Sequence, residues 1–151
     1  MASTIGIQYA VELPELPQRD ALRRWARSAL EAAGGAGSLA IRIVDEAESA
    51  AMNRRWRGKQ GPTNVLSFAT ALPPGVDAQE LGDIVICGPV VACEAAQQDK
   101  ALAAHWAHMV VHGVLHLLGH DHKHGPDAQR METLETEILA RLGFPDPYQA
   151  S

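Results

Sequence analysis

The sequence predicts an α+β fold: one domain, with a mixed sheet of about four strands packed by about five helices. Three observations carry that expectation. Apolar residues alternate along short segments in the first half of the chain and recur at helical spacing in the second. Glycines and prolines fall at the boundaries between these segments. All seven histidines lie between His105 and His124, within or just after the helical half.

Ile5, Ile7, Tyr9 and Val11 alternate as a first strand, ended by Pro14 and Pro17. Leu22, Trp25, Ala26, Ala29 and Leu30 then share one helical face, and Gly34-Gly35 stops that helix. Leu39, Ile41 and Ile43 form a second strand. Asp45 with Glu48 three residues on resembles a capping box, opening a helix through about Arg55. Val65 to Phe68 and Leu81 to Cys87 read as two further strands, separated by a Pro73-Pro74-Gly75 turn. Gly88-Pro89 starts a helical pattern that runs to Leu118, with a break near Asp99-Lys100. The last helix begins at Gly125-Pro126 and reaches about Leu142, stopped by Gly143 and Pro145.

The chain of 151 residues, 46% hydrophobic, is expected to be a single domain over 1–151, with 1–3 and 147–151 frayed. A net charge of −5 excludes a generic polycation, so a nucleic-acid partner needs a local basic patch. Cys87 and Cys93 form no C-x-x-C motif and read as half-buried reduced thiols. No segment approaches the ~20 apolar residues of a membrane span, and no basic segment precedes an apolar run near Met1. No membrane association and a cytoplasmic location are the expectation.

The chemistry concentrates in His112-Gly113-Val114-Leu115-His116-Leu117-Leu118-Gly119-His120-Asp121-His122. His112 and His116 are i and i+4, so their imidazoles leave one helix face a turn apart and can reach one ion. Gly119 lets the helix end and the chain reverse, returning His122 to the same ion. Three histidines with an open fourth position are the layout of a catalytic zinc site, one ion per chain. The spacing equals that of metzincin proteases, which carry a Glu general base directly after the first histidine; Gly113 stands there instead. His105 and His108 share the helical face of the pair, as cleft lining, outer partners of the ligands, or core histidines. Asp121 either orients a ligand or caps the turn.

These residues resemble the YbeY endoribonucleases of bacteria, also called rRNA maturation factors. The resemblance rests on His112-Gly113-x-Leu115-His116-Leu117-x-Gly119-x-Asp121-His122 and on Met52-Asn53-x-x-Trp56-Arg57-x-Lys59 with Pro62-Thr63-Asn64-Val65-Leu66-Ser67-Phe68. Leu81-Gly82-Asp83-Ile84-Val85-Ile86-Cys87 and His105-Trp106-Ala107-His108-Met109-Val110-Val111 extend it. His120 stands where Tyr is usual, Gln60 where Asp is common and Ala69 where Pro is common. The resemblance implies zinc on His112, His116 and His122, and an important arginine at Arg57. It also implies action on ribosomal RNA precursors, particularly in small-subunit maturation, with ribosomal small-subunit components and the GTPase Era as partners.

Arg57 belongs to the densest positive run of an acidic chain, Arg54-Arg55-Trp56-Arg57-Gly58-Lys59. From the residues alone, the run is either a solvated helix end suited to the C-terminal dipole or a phosphate and base contact. The resemblance favours a functional Arg57, and the chemistry suits it as a fixed cation on the negative charge developing in the phosphorane. Arg54, Arg55, Trp56, Lys59 and Ser67 are candidate substrate contacts. Arg23, Arg24 and Arg27 read as a solvated helix face, and Asp83 as either a structural partner or part of the cleft. The expected function is metal-dependent endoribonuclease with a preference for single strands. A metzincin-like metallopeptidase and a noncatalytic zinc-containing ribosome-assembly factor are the alternatives.

Overall fold

The computed structural model describes residues 4–70, 80–120 and 125–148. The chain forms β1 (Ile5–Tyr9), α1 (Arg19–Ala32), β2 (Ser38–Val44), α2 (Glu46–Arg57), β3 (Val65–Ala69), β4 (Glu80–Cys87), α3 (Gly88–Gln97), α4 (Leu102–Leu117) and α5 (Gly125–Arg141). The expected Pro73-Pro74-Gly75 turn, Asp121, His122 and His124 lie outside the described residues. No helix among the described residues is long and apolar enough to cross a membrane.

One four-stranded mixed sheet has the order β1-β2-β4-β3. β1, β2 and β4 run parallel, and β3 pairs antiparallel to β4 at the edge. Parallel neighbours need crossovers, and α1 supplies the first, burying Leu22, Trp25, Ala26, Ala29 and Leu30 against the sheet. Side chains alternate across the pleat. Ile41, Ile43, Ile84 and Ile86 join the main core with α1, α4 and α5, whereas Val44, Leu66, Val85 and Cys87 form a smaller cluster with Met52 and Val90.

Local signals explain the boundaries. Asp45 caps α2 by accepting from the Glu48 N–H at 2.9 Å. That helix outruns its expected end by two residues, to Arg57, because the C-cap is Gly58 in the left-handed region at φ 67°. The break near Asp99-Lys100 separates α3 from α4, with Asp99 at φ 54°. Gly82 is required where β4 bulges, at φ 141°, because a Cβ there would lie 2.1 Å from the Phe68 carbonyl oxygen.

Three expectations need correction. Arg23 is not simply solvated, since its Nε donates to Ile5 O at 3.0 Å while Arg19 donates to Ile7 O, covering the exposed edge of β1. Asp83 is exposed beside Arg42 and Gln8 on the sheet face away from the histidines, and lines no part of their cleft. Pro147 and Tyr148 are held rather than frayed: Lys100 Nζ donates to Pro147 O, and the Tyr148 N–H donates to Asp146, each at 2.8 Å.

α4 crosses the sheet so closely at Gly113 that a Cβ there would meet Ile84 Cγ2 at 2.8 Å. Gly113→Ala is therefore expected to destabilise the protein by about 1–3 kcal/mol through overpacking. Urea unfolding should show a lower midpoint at unchanged slope; an unchanged midpoint would refute the close approach.

Candidate active site

From His105 to Leu117, every residue of α4 is buried except His112 and His116. A helix apolar on nearly all sides belongs inside a core, and past its first turn this one opens to solvent only through that pair. Their Nε2 atoms lie 3.0 Å apart, the ring centroids 4.5 Å apart. The i,i+4 spacing thus brings both nitrogens to one point at the wall of a cleft of about 880 Å³. Gly119, at φ 94°, ends the last turn, with its N–H on His116 O and the His120 N–H on Leu115 O.

Behind His112 stands Glu135 of α5, fully buried. Its Oε2 lies 2.6 Å from His108 Nε2 and 3.2 Å from His112 Nδ1, and its Oε1 accepts from the Tyr148 hydroxyl at 2.8 Å. An ionised carboxylate only accepts, so both imidazoles donate to it. That assigns the His112 proton to Nδ1 and leaves Nε2 an acceptor on the cleft side, where it meets His116 Nε2. Burial alone would raise the Glu135 carboxyl, but the hydrogen bonds and charges of His108 and His112 outweigh it and lower its pKa to about 2. Burial, then the charge of Glu135, pushes the Tyr148 phenol far above its ordinary value.

Two donor sets share His112. On the buried side, His108, His112 and Glu135 present ligand atoms within 4.8 Å of one another and could hold a metal ion. On the cleft side, Nε2 of His112 meets Nε2 of His116. Buried His105 belongs to neither. It bonds Glu94 at 2.9 Å, and that carboxylate also accepts from Asn64 at 3.1 Å. Burial lowers the His105 pKa, with the Glu94 bond opposing the shift.

The opposite wall comes from the end of α2 and from β3. Ser49 and Asn53 pin the intervening loop by bonding Thr63 O at 3.0 Å and Gly61 O at 2.9 Å. Arg57 donates from Nη2 to Ser67 O at 2.7 Å and lies 5.4 Å over the Phe68 ring. Exposed Trp56 meets Phe68 edge-on at 6.3 Å and carries Arg55 at 4.9 Å over its own ring. Arg57, Lys59, Ser67 and Phe68 line the cleft together with His112 and His116; Arg54, Arg55 and Trp56 stand outside its walls. Ser67 Oγ donates to Gly113 O at 3.2 Å, tying β3 to α4.

Glu135 and Tyr148 carry no assignment in the sequence reading. A signal for Glu135 exists: it interrupts the buried stripe Met131, Glu135, Ile138, Leu139 of α5. A carboxylate on a core-facing stripe must find a partner.

A mixed four-stranded sheet carrying a histidine pair backed by a buried carboxylate, at a cleft walled by arginine and aromatics, defines a single-domain protein with a candidate metal centre. The chain belongs to the family Endoribonuclease YbeY, which it matches over residues 8–143. It is 57% identical over 136 residues, 88% of each chain, to Endoribonuclease YbeY of Halorhodospira halophila. To Endoribonuclease YbeY of Nitrosococcus oceani it is 51% identical over 99% of each chain. The solution structure of TM1509 from Thermotoga maritima shares the fold at a TM-score of 0.60 and 22% identity, covering 97% of this chain and 99% of that one.

Proposed function

We propose that this protein is a zinc-dependent endoribonuclease that cuts single-stranded segments of precursor ribosomal RNA. In this reading it works in the cytoplasm during small-subunit maturation, with ribosomal small-subunit components and the GTPase Era as partners. The observation that carries it is that, from His105 to Leu117, α4 opens to solvent at His112 and His116, Nε2 to Nε2 at 3.0 Å, in a cleft that also holds Arg57. The endoribonuclease names of the relatives supply the reaction class.

The donors fit zinc. Neutral imidazoles are its common nitrogen ligands, and a ligating histidine typically gives its other N–H to a carboxylate, as His112 does to Glu135. His112 and His116 would hold the ion through Nε2, with His122 as third ligand. The buried set, whose histidines give their N–H groups to Glu135 at 2.6 and 3.2 Å, is the alternative cage. Zinc, when bound, supplies Lewis acidity toward a phosphoryl oxygen.

The remaining work falls to the chain. The Ser67 carbonyl fixes the Arg57 guanidinium at the cleft wall, where its other donors can meet phosphate oxygens in pairs. That placement stabilises negative charge growing on the phosphoryl oxygens during cleavage. Trp56 and Phe68 give unstacked bases aromatic surfaces beside cations, which favours single strands over duplex. Arg54, Arg55 and Lys59 add sequence-independent attraction to the backbone. With a net charge of −5, affinity for free RNA is modest and a docking partner on the ribosome supplies the rest.

Incubating the zinc-loaded protein with end-labelled single-stranded RNA, the matching duplex and an unfolded protein tests this reading. Cleavage of the single strand alone, stopped by a chelator, is the expected result. Cleavage of the protein would identify a metallopeptidase. No cleavage of any substrate, with zinc bound, would identify a noncatalytic assembly factor.

A further inference from the structure

The C-terminal segment after α5 reaches the site from behind. Phe144 bonds Leu139 O through its N–H at 2.8 Å and packs edge-on against Trp25 at 6.0 Å. Lys100 Nζ holds Pro147 O, and Asp146 accepts from the Tyr148 N–H. These contacts leave Tyr148 46% exposed, while its hydroxyl turns inward and donates to the fully buried Glu135. A tyrosine this exposed has water available to its hydroxyl. Here the hydroxyl is directed to an interior carboxylate instead.

We infer that Tyr148 is a positioning residue for the histidine pair: by holding Glu135 Oε1, it aims Oε2 at His112 Nδ1 and so aims His112 Nε2 at the cleft. Rotating a carboxylate moves both oxygens together, so a partner on one side restrains what the other can meet. Oε1 has the Tyr148 hydroxyl at 2.8 Å, and Oε2 has His108 at 2.6 Å and His112 at 3.2 Å. The longest of the three contacts is the one to the cleft histidine. It is therefore the first to loosen when the carboxylate is free to swing toward His108. The His108 ring stands edge-on to Tyr148 at 5.4 Å, and its Nε2 lies 3.3 Å from the phenol oxygen. Tyr148 and His108 also separate the cleft from a second cavity of about 570 Å³, so water can replace a lost hydroxyl without reproducing its direction.

The inference rests on the reading that His112 Nε2 ligates the metal, and Tyr148→Phe tests the two separately. This variant keeps the ring and removes only the hydroxyl. Zinc affinity, measured by competition with a chromophoric chelator, should fall about 10–100-fold, as on loss of other outer partners of metal-bound histidines. In metal-free protein labelled with ¹⁵N-histidine, nuclear magnetic resonance should find His112 as the Nδ1–H tautomer in the wild type and as a mixture in the variant. An affinity within twofold of wild type overturns the inference. So does a fall in affinity with the His112 tautomer unchanged, which would mark Tyr148 as merely structural. Failure of the wild type to bind one zinc overturns the ligand reading instead, and the metal-free tautomer comparison then decides the role of Tyr148 alone.

Discussion

Purified His116→Ala is expected to fold and to lose stoichiometric zinc, and with it all metal-dependent cleavage. The side chain is half-open at the cleft rather than packed in the core, so its removal leaves no large cavity. A ligand deletion should cost more than the ~10–100-fold typical of an outer partner. His112→Ala should lose the metal as completely, and His122→Ala likewise, whereas His124→Ala should keep it. Plasma emission on the purified proteins reads the outcome directly. Full zinc in His116→Ala would point to the buried set of His108, His112 and Glu135 as the true cage. Full zinc in His122→Ala alone would leave the histidine pair in place and transfer the third position to His120.

Arg57→Ala is expected to retain fold and zinc and to cleave about 10²–10³-fold more slowly, roughly 2.7–4 kcal/mol in the barrier. Arg57 is exposed and its hydrogen bond to Ser67 O sits at the surface, so stability should change little. Arg57→Lys should recover little of the rate, because an ammonium cannot reproduce a two-pronged contact with phosphate oxygens. Single-turnover cleavage at saturating enzyme removes the binding step and isolates this effect. A near-normal rate under those conditions would reduce Arg57 to a surface cation. Neutralising Arg55, which stacks on Trp56 outside the cleft, should instead weaken binding and flatten its salt dependence.

The legible parts of this molecule are those whose cause is local. Alternation in β2, the Asp45 cap and the Gly119 stop each act within a few residues, and each appears at its expected place. The histidine pair was legible for the same reason, since one helical turn separates its members. Glu135 and Tyr148 were not, because their partners lie 23 and 40 residues away in sequence, on α4. Only the packing of α5 and its tail across α4 brings them together. Arg23 and Asp83 show the same limit: a side chain's charge is visible in sequence, but the strand edge or open sheet face it meets is not.

The burial of α4 bears on how this protein can change over generations. From His105 to Leu117, one face packs the core, Gly113 abuts Ile84, and the two side chains open to solvent are the histidines of the cleft. Most helices hold an outward stripe where substitutions drift within about 0.5 kcal/mol of neutral. From His105 onward this one has none, so each replacement along that stretch is charged either to stability or to the site. Variation compatible with a working protein is thereby pushed outward, to α1, to the exposed face of α2 and to the outer surface of α5.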